Sequence, residues 1–275
     1  FVLGVLYYVA VRTFIYEVGE NVNIFALLSV VLIFAMIGLV DDLLGWKNGG
    51  LSTKLRLILA FLAAIPLMVI NAGTHTMSLP FIGAVDFGLI YPLFLIPLGI
   101  AGASITYNFL AGFNGLEAGQ GILILSFLSY VSYVTGNPWL TVVGLTMVTA
   151  LFVFYIFNRN PAEVFPGDSL TWSIGALIAM MAIFGDFQKI AVIVFIPYII
   201  ETILKVRGKL KKHSFARPNP DGSLEMPYNK IYGLTHLSLF ILKKFKKKVY
   251  ENDVVYFIYS IQIVCILIAY FSFLY

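Results

Sequence analysis

Long apolar runs separated by short polar stretches make up most of the chain. Nine can be drawn, over roughly 1–16, 23–40, 55–72, 88–107, 119–135, 139–157, 169–185, 188–204 and 254–274. Each reaches or approaches the roughly 20 residues that a helix needs to cross about 30 Å of hydrocarbon. Their unbroken length, without alternation of period two, predicts helices and not barrel strands. Pro66, Pro92, Pro97 and Pro197 fall inside runs, where a kink is tolerated if neighbouring groups satisfy the freed backbone. The pattern predicts an all-α, polytopic integral membrane helical bundle, read as one transmembrane unit over 1–275.

Composition sharpens this. The chain is 60% hydrophobic and only 12% charged, with a mean hydropathy of +0.92. A water-soluble fold of 275 residues cannot hide so much apolar surface, so the solvent must be lipid. A soluble enzyme, a disordered chain and a disulfide scaffold are excluded. Cys265 lies in an apolar run and reads as an inert buried thiol, and His75, His213 and His236 make no zinc pattern with it. The chain opens at Phe1 inside an apolar segment and is read as lacking its true start.

Alternating spans sort the connections into two sets. One holds 41–54, 108–118, 158–168 and 205–253; the other holds 17–22, 73–87, 136–138 and 186–187. Sixteen of the eighteen Lys and Arg belong to the first set, leaving Arg12 and Lys189 on the other side. The positive-inside rule makes the first set cytoplasmic. The stretch 73–87 could form a small extracytoplasmic hairpin. Residues 234–250, LTHLSLFILKKFKKKVY, read either as an interfacial helix drawn to anionic headgroups or as the basic flank of the last span.

The unusual polar residues all fall in the cytoplasmic set: Asp41-Asp42, NFLAGFNGLEAGQG at 108–121, FPGDS at 165–169, and the basic loop 205–230. Such convergence suits a catalytic surface at the membrane boundary. A secondary transporter would place ionisable groups or broken helices near the midplane, and a scaffold gives no reason for the 108–121 stretch. Asp41-Asp42 reads as a solvated helix terminus, a divalent-cation ligand or a proton acceptor; if the helix ended there, the pair would face the negative end of its dipole. Lys54 either snorkels to the interface or reaches a phosphate at headgroup level. In 108–121, glycines allow backbone N–H groups to approach a ligand, and amides can bind a base edge or complete a metal shell, although Asn114-Gly115 is also a good turn. No Walker A or dinucleotide fingerprint occurs. Asp168 reads as a helix N-cap or a metal ligand, and Phe165 as an interface aromatic or a stacking platform. Glu201, four residues before Lys205, reads as half of a structural i,i+4 pair.

The order of these motifs, ending in a basic loop with LEMPYNK, resembles the polyprenyl-phosphate N-acetylhexosamine-1-phosphate transferases over about 37–230. The NGLEAGQ wording is most similar to the archaeal and eukaryotic branch, which makes N-acetylglucosaminyl-diphospho-dolichol from UDP-N-acetylglucosamine (UDP-GlcNAc). The bacterial phospho-MurNAc-pentapeptide translocase and undecaprenyl-phosphate transferases share the layout, and another UDP-N-acetylhexosamine is the alternative substrate. The resemblance implies ten spans, nine visible here with the first one missing. It implies Mg²⁺ (or Mn²⁺) on Asn108 and Asp168, and uracil read by Asn114 with backbone near Gly112, stacked on Phe165, with Glu117 in the same nucleotide-binding stretch. Asp41, Asp42 and Lys54 would lie near the reacting phosphates, although the Lys54 spacing departs from the eukaryotic pattern. His213 and Arg217 are the best matches for the diphosphate and sugar contacts of a family element poorly kept here. The implied partners are UDP-GlcNAc, polyprenyl or dolichyl phosphate and the bilayer, with no nucleic acid and with a homodimer admitted. The implied location is the cytoplasmic face of an archaeal plasma membrane, with endoplasmic reticulum as the alternative.

Overall fold

The computed structural model describes residues 1–19, 21–79 and 83–274. Helix α1 (Val2–Phe14) is followed by α2 (Val22–Asn48), α3 (Thr53–Ala63) and α4 (Ile65–Val69). A hairpin of β1 (Thr76–Leu79) and β2 (Gly83–Asp86) comes next, then a π-helical turn (Tyr91–Leu95) continuing into α5 (Ile96–Phe109). The rest comprises α6 (Leu116–Val134), α7 (Pro138–Asn158), α8 (Asp168–Gly185), α9 (Gln188–Val194), α10 (Ile196–Arg207), strands β3 (Arg217–Pro218) and β4 (Leu224–Glu225), α11 (Leu234–Leu242) and α12 (Glu251–Leu274). Among the described residues, five helical stretches are long and apolar enough to cross a membrane: Val22–Gly45, Tyr91–Phe109, Pro138–Asn158, Asp168–Gly185 and Glu251–Phe273. The architecture is that of a polytopic, mostly helical membrane protein.

Three departures from the sequence pattern have local causes. First, α2 does not stop at the two aspartates. It runs on through LLGWKN and ends where Gly49 adopts a left-handed conformation, so Asp41 and Asp42 lie on a helix and escape the dipole penalty of a terminus. The Lys47 side chain lies outside the described set. Second, two of the apolar runs are broken helices. The breaks fall at Ala64 and Phe195, each two residues before a proline that lacks an N–H, and no ionisable side chain lies at either break. Third, the chain is not purely α. Thr76 pairs with Asp86 in the expected hairpin, whose tip at 80–82 lies outside the described residues, and Arg217 pairs with Glu225 in a second hairpin.

Helix α8 is the central post, with Trp172, Ile174, Leu177 and Met181 buried. Small residues let its neighbours approach, as packing in lipid requires. A Cβ on Gly38 of α2 would fall 2.3 Å from the Ser169 backbone nitrogen, and one on Gly175 would fall 2.6 Å from the Ala103 carbonyl oxygen of α5. On α11, Leu234, Thr235, His236, Ser238 and Leu239 are buried, so the helix is docked on the protein. The lysines after it are partly spent within the chain: Lys243 pairs with Glu225, Lys246 with Asp253 and Lys248 with Asp221. The Lys248 ammonium and the Ser223 hydroxyl hold the Asp221 carboxyl well below the usual range.

Candidate active site

The site is assembled where α2, α5 and α8 meet. Gly167, the residue before α8, offers no capping side chain. The cap comes from α2: Asp42 Oδ1 accepts from the Asp168 N–H at 2.9 Å, and Oδ2 accepts from the Ser169 N–H and hydroxyl, each at 3.3 Å. A carboxylate at the positive end of a helix is favourable both as a cap and by dipole. It also demands the glycine, because a Cβ on residue 167 would lie 2.2 Å from Asp42 Oδ2. Asp168 is therefore the first residue of the helix and not its cap, which frees its side chain. That side chain accepts from Asn108 Nδ2 at 3.0 Å, while Thr171 donates to Asn108 Oδ1 at 2.9 Å. Asn108 and Asp168, 60 residues apart in sequence, are brought into hydrogen-bond contact.

Asp41 is within reach of both Asp168 and Arg56. It is 4% exposed, and its Oδ1 accepts from the Leu51 N–H at 2.5 Å and from Arg56 Nε at 3.1 Å. Its Oδ2 lies 2.8 Å from Arg56 Nη2, completing a forked contact. Asp41 and Asp42 both act electrostatically on Asp168. Lys54 is exposed and makes no ion pair among the described residues. Arg56 is the cation at this cluster, and sequence reasoning passed over it. The available signal was its position one helical turn into α3, beside Lys54 and facing the acids across Gly49-Gly50.

The 110–115 turn is held from beneath. Gly112 has φ +109°, a conformation that side-chain-bearing residues rarely adopt. Glu117 is 3% exposed, and its Oε1 accepts from the Gly112 N–H at 2.6 Å. Glu117, expected among the nucleotide contacts, is thus turned inward as a support of the turn. The Tyr107 hydroxyl donates to the Glu117 carbonyl and the Tyr259 hydroxyl to the Gly115 carbonyl, both at 2.6 Å. Asn114 is intermediate in exposure, and Phe165 is 62% exposed.

The late loop lies on the same turn. The Ser214 hydroxyl is within 3.3 Å of both the Phe109 carbonyl and Glu201 Oε1. The Phe215 ring rests against Gly112, where a Cβ would come within 2.5 Å of it. Thr235 donates to the Ser214 carbonyl at 2.7 Å, and His236 Nε2 lies 3.3 Å from the Phe215 carbonyl. Glu201 is fully buried, accepts from the Leu234 N–H, and pairs with Lys205 at 3.8 Å, the structural role read from its spacing. This clasp brings the segment bearing His213 and Arg217 to the site. Both side chains are exposed, with no hydrogen bond among the described residues.

Two cavities lie in the helical body, neither lined by Asp41, Asp42, Asn108 or Asp168. A polar one of about 350 Å³ lies beside Asn114, with Tyr155, Arg159, Glu163 and Asn252 in its walls. An apolar one of about 440 Å³ lies between α5, α8 and the broken α9–α10 pair, lined by Leu95, Gly99, Ile178, Ala182 and Val192 among others.

A helical membrane protein whose polar residues gather where three helices meet, with carboxylates and an amide at their centre, has the layout of a membrane phosphoglycosyl transferase. The chain belongs to glycosyl transferase family 4, whose model matches residues 24–186. A Saccharolobus solfataricus protein, provisionally named UDP-N-acetylglucosamine–dolichyl-phosphate N-acetylglucosaminephosphotransferase, is 35% identical over 222 residues, covering 80% of this chain and 66% of its own length. A Sulfolobus acidocaldarius protein with the same provisional name is 33% identical over 252 residues, covering 91% and 73% respectively. A phospho-N-acetylmuramoyl-pentapeptide-transferase of Wolbachia pipientis is 31% identical over 190 residues, covering 66% of this chain and 58% of its own length.

Proposed function

We propose that this protein transfers N-acetylglucosamine-1-phosphate from UDP-GlcNAc to a polyprenyl phosphate of dolichyl type at the cytoplasmic membrane face, releasing UMP. The observation that carries the proposal is the Asp42–Asp168–Asn108 junction, in which two carboxylates and a side-chain amide from three helices meet at one helix N-terminus. The names of the two archaeal relatives support the substrate pair. On this reading the chain is one transmembrane unit in an archaeal plasma membrane, with nine of ten family spans and with 41–54, 108–118, 158–168 and 205–253 facing the cytosol.

The reaction joins two anions: the lipid phosphate attacks the β-phosphorus of the nucleotide sugar, and UMP leaves. Coulomb repulsion is the first obstacle. Asp168 and Asn108 would hold Mg²⁺, or Mn²⁺ in its place. Hard oxygens from a carboxylate and an amide suit that ion, and two protein ligands leave room for diphosphate oxygens and water. When bound, the ion supplies positive charge against the diphosphate. Asp42 and Thr171 hold the two ligand residues in place through the α8 N-terminus and the Asn108 carbonyl. A strong general base is not required, because the second pKa of a phosphate monoester is about 6 and the nucleophile is already largely ionised. Asp41 then acts chiefly by orienting Arg56, whose fork it fills. Lys54, His213 and Arg217 are exposed cations or potential cations around the phosphate path. Asn114 and Phe165 contact the base, and the isoprenoid lies in the apolar cavity along α5 and α9–α10.

Asp168→Ala should abolish divalent-dependent UMP release from UDP-GlcNAc and dolichyl phosphate, at least about a hundredfold in kcat. Radiolabel that reaches the lipid extract only with both substrates and the cation supports the assignment. Near-normal turnover in Asp168→Ala removes the metal-ligand role, and transport of the nucleotide sugar without UMP release removes the enzyme itself.

A further inference from the structure

Helix α12 begins 137 residues after Asn114, yet its first residue reaches back to that asparagine. Glu251 Oε1 accepts from the Asn114 backbone N–H at 2.5 Å, and Oε2 lies 3.5 Å from Asn114 Nδ2. We propose that Glu251 sets the base selectivity of the nucleotide site by fixing which end of the Asn114 side-chain amide is presented to the ligand. This rests on the reading of Asn114 as a base contact.

A side-chain amide has two nearly isosteric ends, one accepting and one donating, and a half-turn exchanges them. An ionised carboxylate only accepts. With Glu251 beside it, the Asn114 NH₂ must face the carboxylate, because the reverse orientation would set Oδ1 against two anionic oxygens. Oδ1 is then held on the far side, and one Nδ2 hydrogen remains free. That presents an acceptor beside a donor in fixed order. Uracil offers N3–H beside a carbonyl, which pairs in this order. Cytosine offers a bare N3 beside an amino group, and pairs only with the amide turned over. A freely rotating asparagine accepts either base.

The surroundings agree. The polar cavity beside Asn114 is walled by Arg159, Asn160, Glu163 and Asn252, none of which has a side-chain hydrogen bond or ion pair among the described residues. Its volume of about 350 Å³ is in the range of small-ligand sites. The turn itself does not need Glu251 to hold its shape, since Glu117, Tyr259 and Ser214 already bind Gly112, Gly115 and Phe109. What Glu251 alone touches is the Asn114 N–H and amide.

The test is competitive binding of UMP and CMP to the full-length protein in lipid nanodiscs, comparing wild type with Glu251→Gln, Glu251→Ala and Asn114→Ala. Gln is isosteric and can turn either end of its own amide toward Asn114, so it keeps the packing and loses the polarity. The UMP-over-CMP preference should fall about tenfold or more in both Glu251 variants, as expected when a mispaired polar group decides selectivity. An unchanged preference in both, with Asn114→Ala erasing it, overturns the role of Glu251 and leaves Asn114 as the base contact. A preference retained by Glu251→Gln with binding lost altogether in Glu251→Ala overturns it in favour of packing alone. UMP affinity unaltered in Asn114→Ala removes the base contact itself, and the proposal with it.

Discussion

Arg56 and Asp41 form a half-buried pair in which the guanidinium is 32% exposed and the carboxylate only 5%. Removing the cation leaves a buried anion without its partner, a change that costs roughly 1–3 kcal/mol. Arg56→Ala should therefore lower the thermal midpoint, and Arg56→Ala with Asp41→Asn should restore it without restoring turnover. If the double variant regains both, Arg56 is a structural tie and not part of the site. Arg56→Lys keeps the charge but not the fork, and should fall between them in kcat. His236 makes a pH prediction. Burial and the nearby Lys205 lower its pKa below the usual 6.5, so the neutral ring is favoured in the folded protein. Its contribution to stability is present above 6.5 and is lost as pH falls through the lower folded value. Thermal midpoints from pH 8 to 5 should fall less steeply in His236→Gln than in wild type; equal slopes would show that the ring does not titrate with unfolding.

Elements decide whether such residues can meet. The paired acids, the 108–121 stretch, the FPGD turn and the basic loop were all legible as separate patches, because each interrupts an apolar run with residues that lipid would not accept. That they would meet was expected from the alternation of spans and the family resemblance, but the contacts that join them were not legible. They depend on α2 continuing past Asp42, on Gly38 letting α2 touch the start of α8, and on Gly167 leaving space for the Asp42 carboxylate. Gly38→Ala tests this. Its methyl group would meet the Ser169 backbone at 2.3 Å, and backbone cannot yield as a flexible side chain does. The variant should lose about 1–3 kcal/mol of stability, as overpacked cores do. It should also lose turnover out of proportion, because separating the helices breaks the Asp42 cap. Normal kcat in Gly38→Ala would detach the cap from function. Glu117 shows the same limit from the other side: a carboxylate in a loop sequence reads as a ligand, and only burial shows that it faces inward to Gly112.

For the molecule as a whole, the proposed function requires every patch to lie on one side of the membrane. Single cysteines at the exposed positions 42, 165 and 213 should react with an impermeant maleimide from one compartment, and those at 76 and 86 from the other. Labelling of 42, 165 and 213 from opposite sides would dissolve the shared site. Composition and the length of the apolar runs sufficed for a helical membrane protein, because hydrophobic burial is summed over many residues and survives local errors. The contacts of Asp41 with Arg56, Asp42 with the α8 N-terminus, Asn114 with Glu251 and Phe215 with Gly112 came from the folded chain alone. Each joins residues on different elements, 137 apart in the case of Asn114 and Glu251, and hydrogen bonds act over about 3 Å of space whatever the distance along the backbone.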